Sequence, residues 1–308
     1  MAAVDVEARP RRAPDAPPRR FSRDRVETVG FGVLRWLIIA GIVVVTIFPF
    51  YYMILLSFRP LDAVLQDPGA LWVGLDEVTF DSYEAVLTPQ SQGGQGFVRF
   101  MANSALVAVG TVFATLAIAL PGAYAVSRLE FFGRRKIGAL FLSVYLFPSI
   151  LLAIPLFIIF TRLGLRGELL GLLFVYIAQV VPVTIYMLRN YFDTIPVSLE
   201  EAAAIDGCTR LGVMWRISLP LAMPGIVSNG LYIFMIAWNE FLFALLFLIE
   251  RRDNWTVSLG LSQLAGSIEI PTTVLMAGSV ILTLPIVIGF FATQRLLTEG
   301  LTAGAEKG

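Results

Sequence analysis

Glu240 is the one acidic side chain within the long apolar stretches of this chain, and it directly follows Trp238 and Asn239. A carboxylate in hydrocarbon costs roughly 2.5–3.5 kcal/mol on insertion scales unless water or a partner meets it, so Glu240 is expected to face the interior of a bundle. An aromatic face, an amide and a carboxylate are the groups that stack on a sugar ring and bond its hydroxyls. Consecutive helical residues point about 100° apart, so the three cannot all line one surface. Hydrogen bonds to a neighbouring chain are the alternative to contact with a solute. Gln179, an amide in another apolar stretch, is a further pathway candidate, with packing as its alternative.

A second group of polar residues lies in the connection from residue 189 to 223, which is longer than a turn between antiparallel spans requires. Ser198-Leu199-Glu200-Glu201 fits a capping box, with the serine oxygen accepting from the backbone at Glu201 and the Glu201 carboxylate reaching back. A short helix through Ala202, Ala203, Ala204, Ile205 and Asp206 follows, and Gly207 permits its left-handed stop. A second short helix is expected over residues 210–218, where Leu211, Met214 and Trp215 fall three and four apart and form an apolar face. Leu219-Pro220 ends it. The pair presents acidic and apolar groups together, which describes a docking element. Helices that lie on a membrane surface usually carry a basic polar face instead, and here Glu200, Glu201 and Asp206 are acidic.

Other chemistry is excluded by residue type. Histidine is absent, which removes His-based metal sites and Ser-His or Cys-His nucleophile pairs. The single cysteine, Cys208, cannot close a disulfide within the chain. A phosphate-cradling loop needs Gly-Lys-Ser or Gly-Lys-Thr, yet the two lysines, Lys136 and Lys307, follow Arg135 and Glu306. No catalytic residue, metal site or nucleotide site is therefore assigned.

The elements that carry these residues follow from composition. The 308 residues are 57% apolar and 15% charged, against about 25% charged in soluble domains, so the chain is expected in a membrane. Six apolar stretches are long enough to span: residues 33–57, 103–127, 137–160, 169–188, 225–249 and 273–294. The fold class is thus all-α with six transmembrane helices, five of them holding an interior proline. With the N-terminus inside, 17 of the 23 basic residues fall on the inner side and six on the outer, which puts both termini in the cytoplasm. Residues 1–30, rich in arginine and proline, read as a disordered cytoplasmic tail, and residues 31–308 as the membrane domain.

One pattern resembles a known family. Glu201-Ala202-Ala203, then Gly207, Ile217 and Leu219-Pro220, fill every fixed position of the EAA loop of binding-protein-dependent ABC importer permeases. Ala237-Trp238-Asn239-Glu240-Phe241 and the ending Gly300–Gly308 resemble the carbohydrate-importing branch, on the side of the inner-membrane subunit of the maltose system. The resemblance runs from about residue 33 onward and implies a type I ABC importer transmembrane domain.

It further implies that the loop is a coupling helix seated in a cytoplasmic ATPase, with Glu201 pairing to a basic ATPase residue, Gly207 giving the bend, and Met214 and Trp215 giving apolar contact. Gly304, Lys307 and Gly308 would reach the ATPase as well. The partners implied are a second permease subunit, two copies of the ATPase that bind ATP and Mg, and an external solute-binding protein that contacts residues 251–270. Nucleic acid has no place in this scheme. Sugar is the implied cargo, with a polyol, glycerol phosphate or other small solute as alternatives. A self-contained secondary transporter is the competing class, and it would be expected to show an inverted repeat and more intramembrane charge.

Overall fold

The computed structural model describes residues 23–305, and every regular element among them is a helix. The chain divides into two compact units, residues 1–52 and 53–308. The described part of the first is the leading portion of helix α1 (Arg23–Ser57), which carries Pro49. Over residues 33–50 its side chains are mostly apolar and exposed around the helix, as befits a surface meant for lipid or another protein. This helix begins inside the segment expected to be a disordered tail, and the remainder of that segment, residues 1–22, lies outside the described residues.

The second unit is built on two long helices, α4 (Phe97–Arg128) and α7 (Leu169–Phe192), packed along their lengths. Preceding them are two short helices, α2 (Leu61–Gln66) and α3 (Asp81–Leu87), the latter packing on α4. The contact face of α4 is a stripe of small residues: Ser104, Ala108, Thr111, Thr115, Ala119 and Ala123 are all buried. Their spacing of three and four keeps them on one face, and their size lets backbones approach closely, the usual basis of helix association in lipid.

One apolar core lies at the start of α4 and α7, around Phe97, Phe100, Leu172 and Tyr176. A second lies at their far ends, around Ala123, Tyr124, Leu188 and Phe192. Helix α11 (Met223–Asn239) packs on both α4 and α7, and α14 (Thr272–Ala305) packs on α11.

Four described helices are long and apolar enough to cross a membrane, or five if the pair 210–221 and Met223–Asn239, bent by 76°, counts as one span. Two of the six expected spans are therefore interrupted. The third is α5 (Arg134–Leu146), a 3-10 turn at Ser149–Leu152, and α6 (Ala153–Arg162). The break falls at Pro148, which has no N–H to donate and holds Phe147 extended at φ −75°, ψ 126°. The fifth is α11 followed by α12 (Leu242–Leu248), separated by Glu240 in extended conformation at φ −63°, ψ 131°. In contrast, Pro49, Pro121, Pro182 and Pro285 sit inside continuous helices. The connection 189–223 holds α8 (Val197–Ile205), α9 (Arg210–Val213), a π turn at Met214–Ser218 and α10 (Leu219–Leu221). Helix α13 (Val257–Ala265) packs between α4 and α14 near the other end.

Candidate functional site: the loop between α7 and α11

Helix α8 starts two residues earlier than a capping box at Ser198 requires. Its N-cap is Pro196 at φ −59°, ψ 127°, with no side-chain cap bond, so Ser198 is already helical and cannot act as the cap. This change of start leaves Glu201 free to face outward and turns Glu200 in.

Glu200 is only 8% exposed. Its Oε1 accepts from Arg128 Nε and from Ser218 Oγ, both at 2.9 Å, and its Oε2 faces the Tyr124 hydroxyl at 3.4 Å. Arg128, the last residue of α4, also donates through Nη2 to the carbonyls of Phe192 at 2.8 Å and Ile195 at 2.9 Å, and through Nη1 to Ser127 Oγ at 3.1 Å. Ser127 Oγ in turn donates to Asp193 Oδ1 at 2.5 Å. Helix ends leave carbonyls without intrahelical partners, and the guanidinium fork satisfies those of α7 while neutralising a buried carboxylate. Neither charge could be buried at tolerable cost without the other. Glu200 is thus an interior residue of this chain.

Gly207 adopts the left-handed conformation expected of it, at φ +87°. Its N–H donates to the Ala204 carbonyl at 3.1 Å, and that of Cys208 donates to Ala203 at 3.0 Å, closing the end of α8. Thr209 then caps α9, its hydroxyl accepting from Gly212 N at 3.2 Å. The second helix covers the expected residues, 210–218, but its latter half is a π turn with wider winding. That splits the expected apolar face: Met214 is 5% exposed and belongs to the core with Leu219, whereas Trp215 is 64% exposed. Leu211 and Pro220 are exposed as well, and Ala203 is buried. What the loop presents outward includes Glu201, Ala202, Ile205, Asp206, Gly207, Leu211 and Trp215 together with Arg210 and Arg216, so the exposed face carries charges of both signs beside apolar side chains.

Trp238, Asn239 and Glu240 do not share one surface. Glu240 accepts from the Tyr176 hydroxyl at 2.6 Å and from the backbone N–H groups of Phe243 at 2.8 Å and Ala244 at 3.2 Å. It is the acceptor at the broken start of α12, bonded within its own chain. Trp238 is buried, donates through Nε1 to the Leu282 carbonyl at 3.0 Å and stacks on Phe234. Asn239 alone of the three is exposed, and its amide donates back to Met235 O at 2.9 Å. Gln179 is half-buried, with its Oε1 unpartnered. Of the C-terminal candidates, Gly304 lies in α14, and Lys307 and Gly308 fall outside the described residues. Among the described residues no cluster of His, Cys, Asp or Glu could hold a metal.

Residues 117–302 match the family described as the binding-protein-dependent transport system inner membrane component. The chain belongs to that family. It is 38% identical over 271 residues to the inner membrane ABC transporter permease protein YcjP of Escherichia coli, covering 88% of this chain and 94% of that one. It is also 38% identical over 280 residues to the trehalose/maltose transport system permease protein MalG of Thermococcus litoralis, covering 89% and 97%. Among solved structures, a chain of a bacterial ABC transporter involved in the import of the acidic polysaccharide alginate superposes with a TM-score of 0.74 at 25% identity, over 90% of this chain and 98% of that one. The protein is accordingly a multi-pass membrane permease subunit with the type I ABC importer fold.

Proposed function

We propose that this permease forms half of the translocation pathway of an ATP-driven sugar importer and is driven through the loop between α7 and α11. The observation that carries this reading is the loop itself. In a chain of this family it turns Glu201, Ile205, Gly207 and Trp215 outward while Glu200, Met214 and Leu219 anchor it to the membrane helices. In this reading Glu201 pairs with a basic residue of a separate ATPase, which binds ATP and Mg, and two such ATPases sit beneath this chain and a second permease subunit. Six crossings are assigned, with α5–α6 and α11–α12 as interrupted ones and both termini in the cytoplasm, in accord with the basic-residue count. Gly304, Lys307 and Gly308 are placed against the ATPases.

A loaded solute-binding protein would stabilise the outward-facing state by differential affinity at residues 251–270. That segment borders a polar cavity of about 650 Å³ lined by Arg99, Glu168, Glu250, Arg251 and Asp253 among others. Carbohydrate cargo is supported by relatives named for trehalose and maltose in Thermococcus litoralis and for diacetylchitobiose in Streptomyces coelicolor.

The test is uptake by the assembled transporter. Replacing Glu201→Gln is expected to cut uptake about tenfold or more through loss of a charge-assisted contact, with the subunit still present in the membrane. Undiminished uptake in that variant would reject the coupling assignment.

A further inference from the structure

We infer that the buried pair Arg128–Glu200 is the strut by which the loop drives α4, and that Glu200, although adjacent to the outward Glu201, is a positioning residue for force transfer rather than for docking. This rests on the coupling role proposed above and locates its mechanical path.

A loop that merely rests on the membrane helices would lose its push in side-chain rearrangement. Here one guanidinium joins the end of α4 to the carboxylate of α8, to the carbonyl of Phe192, the last residue of α7, and to that of Ile195 just beyond it. The same Glu200 oxygen receives Ser218, at the end of the π turn that leads into α10 and α11. Four segments therefore meet at one ion pair whose side chains are 9% and 10% exposed. Water does not screen it, and its planar fork fixes direction as well as distance. Tyr124, one turn before Arg128 on α4, faces the other carboxylate oxygen. Displacement of α8 is thus carried to the end of α4, the helix with the most extensive packing in the bundle.

Apart from Asp193, which accepts from Ser127 beside Arg128 on α4, the loop residues outside this node make local bonds. The Thr194 hydroxyl donates to Tyr191 O, and Thr209 caps its own helix. Met214 and Leu219 add apolar packing to the far-end core but fix no direction.

The experiment uses the complete transporter in proteoliposomes and reads solute moved per ATP hydrolysed together with co-purification of the ATPase. Glu200→Gln keeps the shape and an acceptor oxygen but removes the charge. It is expected to retain the ATPase while lowering solute per ATP about tenfold, within the range of coupling free energies between linked sites. Arg128→Lys, which keeps the charge but loses the fork, is expected to fall between it and the parent. Because the readout is a ratio, lower abundance in the membrane does not mimic the effect. The double variant Arg128→Gln/Glu200→Gln should be no worse than the worse single, the signature of two groups acting as one. A ratio within twofold of the parent in both Glu200→Gln and Arg128→Lys overturns the inference. So does loss of the ATPase on purification of Glu200→Gln, since Glu200 would then belong to the docking surface. Failure of the underlying reading looks different: Ile205→Cys, in a Cys208→Ser background, would then fail to cross-link to the ATPase even with Arg128 and Glu200 intact.

Discussion

Single side chains in the loop divide by direction, and their substitutions should divide in the same way. Met214→Ala empties a packed position and is expected to cost about 2–5 kcal/mol of stability, lowering the thermal midpoint of the purified subunit. Trp215→Ala removes an exposed ring and should leave stability within about 0.5 kcal/mol while weakening capture of the ATPase. A reversed pattern would mean that the π turn does not orient the two as described. Glu240→Ala strips an acceptor from three donors, the Tyr176 hydroxyl and two N–H groups of α12. A loss of about 1–3 kcal/mol follows from leaving buried donors unpaired, and thermal unfolding in detergent measures it. Unchanged stability with a raised KM for solute would return Glu240 to the pathway. The identity of Gly207 is enforced by its backbone, since φ +87° disfavours any side chain.

At the scale of elements, α4 is the member on which the others depend. Its buried stripe of Ser104, Ala108, Thr111, Thr115, Ala119 and Ala123 was present in the sequence as small residues at helical spacing, but small residues also populate lipid-facing surfaces, so spacing alone did not mark the contact. Ala119→Leu at its centre is expected to overpack the helix contact and cost about 1–3 kcal/mol. Ile118→Leu, one residue along on an exposed face, should be silent, and comparison of their unfolding midpoints checks the assignment of faces. The interrupted helices at Pro148 and Glu240 were legible only in part. Proline announced a weakness in five spans, yet Pro49, Pro121, Pro182 and Pro285 are accommodated within continuous helices, Pro155 lies in the first turn of α6, and only Pro148 sits at a break. Nothing local distinguishes them, because whether a freed carbonyl finds another partner is settled by the neighbouring helices. No proline marks the break at Glu240; it is stabilised by the carboxylate accepting from the start of α12.

For the whole molecule, the proposed topology predicts that a membrane-impermeant thiol reagent labels Ser91→Cys from outside intact cells, and reaches Cys208 only once the cytoplasmic face is opened. The opposite pattern would invert the assignment of sides. By itself the sequence determined the helical membrane class, the position of the loop and the left-handed glycine. Those properties depend on composition and on neighbours within a few residues, where steric and hydration rules act directly. The tertiary structure decided which of two adjacent glutamates is buried. The one local rule that separated Glu200 from Glu201, a capping box at Ser198, is not realised, and the choice rests on Arg128, 72 residues away, with Ser218 beside it. It likewise drew Trp238 and Glu240 into internal bonds with Leu282 and Tyr176, contacts that exist only once distant helices have packed.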